Sequence, residues 1–187
     1  MSVSLSKGGN ISLSKEEPGL TSILIGLGWD TRMSDGADFD LDASAFLLGP
    51  GDRVRGDEDF IFYNNLRSSD GAVEHTGDNR TGAGDGDDET INVDLTRLPP
   101  KVETLVFTVN SFTGDSFDRI ANAYCRVVDT TTAKELARYD LTGSGAHTGQ
   151  VMAKLSRSGG GWEMKALGER TTGRTFKDMM GNILATL

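Results

Sequence analysis

A chain of 187 residues with 36% hydrophobic and 25% charged residues holds enough apolar material for one folded core, and residues 1–187 read as a single domain. Its net charge of −9 argues against nucleic acid as a partner, and no apolar run approaches the ~20 residues that cross a bilayer, so an integral membrane protein is not expected. A lone Cys125 and two histidines, His75 and His147, exclude an internal disulfide and a Cys-rich zinc site and suit a reducing compartment; the opening MSVSLSKGGN lacks the basic-then-apolar order of a secretory signal.

With 24 Gly against 4 Pro, and a turn cluster about every ten residues, the chain favours short strands. In chain order they are expected at residues 2–5, 11–13, 20–27, 42–48, 59–63, 90–95, 104–110, 121–129, 134–141, 151–156 and 162–167. Eleven strands without long helical crossovers predict an all-β fold, a β-sandwich of two packed, mainly antiparallel sheets, with a closed barrel as the alternative. In residues 122–129 the alternation puts Ala123, Cys125 and Val127 on one face, which makes Cys125 a small core residue. Residues 114–122 predict one or two helical turns. Residues 174–187 predict a C-terminal helix, with Phe176, Met179, Met180, Ile183, Leu184 and Leu187 packing on the sandwich and Gly181 weakening it.

The negative charge is focal. Residues 35–42 carry Asp35, Asp38, Asp40 and Asp42 with no base, and residues 78–89 carry Asp78, Asp85, Asp87, Asp88 and Glu89 against Arg80 alone. Alternation sets Asp38, Asp40 and Asp42 on one face of an extended segment and Phe39 and Leu41 on the other. Three carboxylates that close repel one another unless a cation sits among them. The second cluster interleaves its acids with Gly82, Gly84 and Gly86, which let a backbone curl and aim carbonyls inward. Hard carboxylate and carbonyl oxygens in an irregular loop suit Ca²⁺ better than Mg²⁺ or zinc. A solvated acidic turn is the blander reading of either cluster alone; two clusters on an otherwise near-neutral body favour metal. Neither fits an EF-hand, since Arg80, Gly82 and Ala83 fall where ligands and the turn glycine belong. Phosphate-loop, HExxH and GxSxG signatures are absent. A metal-dependent hydrolase using the acidic motifs is the alternative function. His75 could hydrogen-bond a ligating carboxylate and His147 could touch a ligand.

The motifs GLGWD (26–30), FDLDASAFLL (39–48), FIFYNNL (60–66), HTGDNRTGAGDGDDE (75–89) and ELARYDL (135–141), with the opening SLSKGGNISLSK, resemble the bacterial tellurium-resistance family TerD across nearly the whole chain. The resemblance implies a cytoplasmic, non-enzymatic β-sandwich that binds two Ca²⁺ and serves resistance to tellurite and other chemical, phage or DNA-damaging stress. Carried onto this chain, the implied metal ligands are Asp38, Asp40, Asp42, Asp78, Asn79, Asp85, Asp87, Asp88 and Glu89, with carbonyls near Gly84 and Gly86 and the Asn65 amide as secondary candidates. Arg80 departs from a ligand loop and is expected to project outward or pair with an acid. Implied partners are other Ter-family proteins, membrane-bound members among them, and von Willebrand-type domain proteins. Direct capture of the tellurium oxyanion is disfavoured, because the acidic clusters would repel it and a buried thiol reduces it poorly.

Overall fold

A computed structural model describes residues 2–30, 40–77, 86–141 and 145–187. Its elements run β1 (Val3–Ser4), β2 (Asn10–Ser12), α1 (Leu13–Glu16), β3 (Ser22–Asp30), β4 (Leu41–Gly49), β5 (Arg53–Val54), β6 (Phe60–Ile61), β7 (Val73–His75), β8 (Glu89–Asp94), β9 (Thr104–Ser111), β10 (Ala121–Asp129), β11 (Lys134–Asp140), β12 (Gly149–Ser158), β13 (Gly161–Thr171) and α2 (Phe176–Ala185), with 3₁₀ turns at Asp57–Asp59 and Phe117–Arg119. They build two sheets. One is six-stranded in the order β1-β11-β10-β3-β8-β7; the other is seven-stranded in the order β2-β13-β12-β9-β4-β5, with β6 paired to β4. Every pairing between these strands is antiparallel except β1 with β11.

Period-two alternation decides which side chains meet between the sheets. Ile23, Ile25, Leu27 and Trp29 of β3, Ile91 and Val93 of β8, and Ala123, Cys125 and Val127 of β10 face Leu41, Ala43, Ala45 and Leu47 of β4 and Leu105, Phe107 and Val109 of β9 in one continuous core. A second cluster lies on the other face of the seven-stranded sheet, where Phe46, Leu48, Val106, Val151 and Leu167 are covered by Met179 and Ile183 of α2. The molecule is therefore sheet on sheet with a helix laid outside one of them. Helix α2 begins where the Asp178 carboxylate accepts from the Thr175 amide at 3.1 Å and the Thr175 hydroxyl at 2.9 Å, a reciprocal N-terminal cap. Leu184 falls off the buried stripe and faces solvent, unlike the expectation for it.

Four elements differ from the sequence reading for identifiable reasons. The turns expected over residues 114–122 shrink to Phe117–Arg119, because β10 claims the chain from Ala121 onward. Strand β13 does not stop at Leu167. The register steps from Val151↔Glu169 to Ala153↔Ala166, so β13 carries one extra residue beside Gly168, whose φ of 61° suits glycine, and pairing resumes to Thr171. Strands β5 and β7 were not expected at all, being two and three residues long and too short to show a period.

Cys125 lies where the alternation put it, buried in the inter-sheet core. Burial pushes its thiol up to about 12, with the Asp87 charge adding to the effect. The folded protein at pH 8 should therefore resist iodoacetamide, and alkylation should reach completion only in denaturant; mass spectrometry showing rapid native labelling would contradict this placement.

Candidate functional site

The fold brings the two acidic segments to one end of the sandwich. Strand β3 ends at Asp30 and β4 opens after Asp40, while β8 opens at Glu89, and cross-links tie these ends together. The Trp29 amide donates to Asp88 Oδ2 at 2.9 Å, the Asp88 amide to the Leu27 carbonyl at 2.8 Å, and the Ala43 amide to Glu89 Oε2 at 2.7 Å. A carboxylate from the second motif thus reaches the backbone of the first. Of the expected ligands, Asp40, Asp42, Gly86, Asp87, Asp88 and Glu89 are described; Asp38, Asp78, Asn79, Gly84 and Asp85, like Arg80, lie outside the described residues.

These acids do not share one environment. Asp42 alternates with Leu41 and Ala43 and so stands on the outer face of the seven-stranded sheet, where Asn110 Nδ2 donates to it at 3.3 Å. Glu89, on β8, faces between the sheets beside His75, whose Nε2 lies 3.3 Å from Oε2 but poorly aligned for a hydrogen bond. His75 Nδ1 accepts from the Gly77 amide at 3.1 Å, so the ring proton sits on Nε2, toward Glu89. Asp88 is the crowded member. Its carboxyl is raised above the ordinary range first by burial and also by the Asp30 and Asp87 charges, against the lowering effect of the Trp29 amide. Asp30, at the end of the GLGWD motif, was not among the expected ligands; only its place beside Asp88 in the fold reveals it. Among the described residues, no three His, Cys, Asp or Glu side chains converge as a complete metal cage. The crowding of Asp88 against Asp30 and Asp87 nonetheless fits a cation, which would relieve both the repulsion and the desolvation.

Asp87 is held differently from its neighbours. Arg126 Nε lies 2.8 and 3.1 Å from its two oxygens, Arg126 Nη2 donates at 3.0 Å, and the Tyr124 hydroxyl donates at 3.1 Å. The same hydroxyl lies 2.9 Å from the Gly86 carbonyl. A carboxylate gripped in this way by a guanidinium anchors the loop to β10. The grip explains the spacing of the GLG tripeptide. A Cβ on Gly26 would run into the Asp87 carboxylate, and one on Gly28 would stand 2.5 Å from the Tyr124 ring, so both glycines keep the outer face of β3 flat for the acid and the ring to lie on. Gly26→Ala should cost about 1–3 kcal/mol, the usual penalty for forcing volume into an occupied place, and Arg126→Ala should abolish most of the difference. Urea denaturation of the double-mutant cycle reads this directly, and additive losses would contradict it.

The remaining candidates are structural. His147 is buried against Phe117 at 4.8 Å between ring centroids, and its Nε2 pairs with Gln150 Oε1 at 3.1 Å. The Asn65 amide nitrogen holds a turn by donating to the Phe60 carbonyl at 2.6 Å.

Comparison with known proteins agrees with this architecture. The family model described as TerD domain matches residues 1–182. The chain is 51% identical over 178 residues to a tellurium resistance protein TerD from Serratia marcescens, covering 92% of this chain and 93% of the relative. It is 41% identical over 174 residues to general stress protein 16U of Bacillus subtilis (strain 168), covering 90% of each. A crystal structure of a homologue of telluride resistance protein (TerD) from Streptomyces coelicolor A3(2) superposes with a TM-score of 0.70 over 87% of this chain and 98% of that one, at 24% identity, and so shares the fold.

Proposed function

The chain belongs to the TerD family, whose members support a stress-resistance role, and from that premise we propose that it is a calcium-binding, non-enzymatic module whose metal-ordered end presents a surface to partner proteins. One observation carries the metal reading. Asp88 is half-buried beside the like charges of Asp30 and Asp87 at the junction of the two acidic segments, an arrangement that a cation would relieve. Asp88 and Asp30 would supply oxygens from the described part of the site, with Asp38, Asp78, Asn79, Asp85 and the Gly84 carbonyl completing the shells. Bound Ca²⁺ supplies charge neutralisation and fixes the two segments to each other. Asp87 serves the site from behind, through Arg126, by holding the start of β8 in place.

The non-enzymatic reading is supported by the two histidines. Both imidazoles are buried, one beside Glu89 and one beside Gln150, and neither offers a general base at the surface. The proposed partners are other Ter-family proteins and von Willebrand-type domain proteins, and among the described residues no helix is long and apolar enough to cross a membrane. Titration calorimetry on chelator-stripped protein should give about two Ca²⁺ per chain, because the two acidic segments with their carbonyls and water supply oxygens for two shells of about 6–8 ligands. A stoichiometry of one or zero would overturn the reading. A pull-down of those partners that is unaffected by chelator would separate metal binding from partner presentation.

A further inference from the structure

Between the outer face of the seven-stranded sheet and the start of α2 lies a cavity of about 470 Å³, within the ~300–1,000 Å³ of small-molecule sites, that the calcium reading does not explain. Its walls are aromatic. Phe176 lies 3.7 Å from Phe60 and 5.4 Å from Phe62 between ring centroids, and Tyr63 meets Phe112 edge-on at 6.1 Å. Phe112 is 46% exposed at the mouth, a large ring left in water beside a concave surface.

The floor is polar, which an outer sheet face covered by a helix has no packing reason to be. Asp42 and Ser44 rise from β4 and Asn110 from β9. Asn110 donates through Nδ2 to the Arg174 carbonyl at 2.9 Å and to Asp42 at 3.3 Å, which turns its amide oxygen into an available acceptor. Ser44 is 3% exposed, and its hydroxyl makes no hydrogen bond with a described residue. Thr108, opposite Ser44 in the β4–β9 register, is fully buried and its hydroxyl is likewise without a partner among the described residues. Ser44 lines the cavity and so brings an unpaired hydroxyl to its floor, whereas Thr108 lies beneath it and outside the lining.

The charges at the rim complete the pattern. The Arg174 guanidinium is held by the carbonyls of Phe112 and Thr113 at 3.1 and 3.2 Å. Lys177 lies at the rim, with its ammonium 5.9 Å from the Phe176 ring centroid and no ion pair among the described residues. Acceptors on the floor, aromatic walls beside them, and Lys177 and Arg174 with the Asp57 carboxylate at the rim describe the complement of a small molecule whose two charges lie close together on one side of a ring. We propose that this cavity binds a small zwitterion with a flat apolar body, the class that an aromatic amino acid represents. Its ammonium lies on the oxygens of Asp42, Ser44 and Asn110, its ring against Phe62 and Phe112, and its carboxylate on Lys177. Aromatic faces add to the attraction for the ammonium through their quadrupoles.

Titration calorimetry on the full chain with L-phenylalanine, phenethylamine and 3-phenylpropionate tests this, since the two analogues each lack one charge. Phenylalanine should bind saturably and both analogues about tenfold more weakly or worse. Lys177→Glu should weaken phenylalanine about tenfold and leave phenethylamine unchanged, while Phe112→Ala should weaken all three. Both variants change exposed positions, and unchanged melting curves verify that they fold. The proposal is overturned if phenylalanine shows no saturable binding, if either one-charge analogue binds as tightly, or if Lys177→Glu leaves phenylalanine affinity intact. None of these outcomes depends on calcium stoichiometry, so the two readings fail separately.

Discussion

Chelation should lower the melting temperature of this chain by roughly 10–20 °C, because each ion bound only by the folded state adds about 2.7 kcal/mol at a hundred times its dissociation constant, two are proposed, and a chain of this size shifts by about 2–4 °C per kcal/mol. The sign of one substitution distinguishes a metal site from mere acidity. Asp88→Asn removes a half-buried carboxylate beside Asp30 and Asp87, while the asparagine oxygen can still accept from the Trp29 amide. In chelator the variant should match or exceed the parent in stability, since repulsion and desolvation both fall. In saturating calcium it should be the less stable of the two, having lost a charged ligand. Asp140→Asn removes the same charge from a side chain that is 71% exposed and paired only loosely with Arg138 at 3.4 Å, and should change neither curve by more than about 0.5 kcal/mol. An Asp88→Asn variant whose rank does not cross over between chelator and calcium would remove the support for a cation at this junction.

The sheets were legible because both faces of most strands have different jobs. Residues 121–129 alternate so regularly that the strand, its bounds and the inward side of Cys125 all follow from period two. Where a strand bends, the period breaks: Gly168 reads as an end, yet in the structure it absorbs one extra residue and β13 continues. The acidic motifs were legible as composition and only partly as geometry. Alternation correctly put Asp42 on the opposite face from Leu41, but it could not distinguish Asp87, gripped by Arg126 from 39 positions away, from Asp88, which is crowded by like charge. That distinction depends on β3 lying between β8 and β10, with Gly26 and Gly28 leaving room across it, and a pairing order is not written in any local pattern. The aromatic cavity escaped for the same reason. Its walls come from β6, the turn after it, the end of β9 and the start of α2, segments that meet only once the sheet has formed.

Phe107→Ala should cost about 3–5 kcal/mol, a large part of the roughly 5–15 kcal/mol that holds a domain of this kind together. Phe107 is fully buried at the centre of β9, and its cross-strand neighbours are Ala45 on β4 and Ala153 on β12. One large ring therefore fills space that two small residues on either side leave open. Truncating it leaves only two alanines directly across the strands to close the gap, so most of the cavity term should be felt rather than relieved by relaxation. The urea midpoint should fall with the slope unchanged, since the surface exposed on unfolding hardly differs. Leu184→Ala, on the solvent side of α2, gives the contrast and should stay within about 0.5 kcal/mol. A Phe107→Ala loss below about 1 kcal/mol would mean that the sheets slide together to refill the gap. In that case Asn110, further along β9 and on the floor of the aromatic cavity, would shift with the strand, and phenylalanine binding should weaken in the same variant.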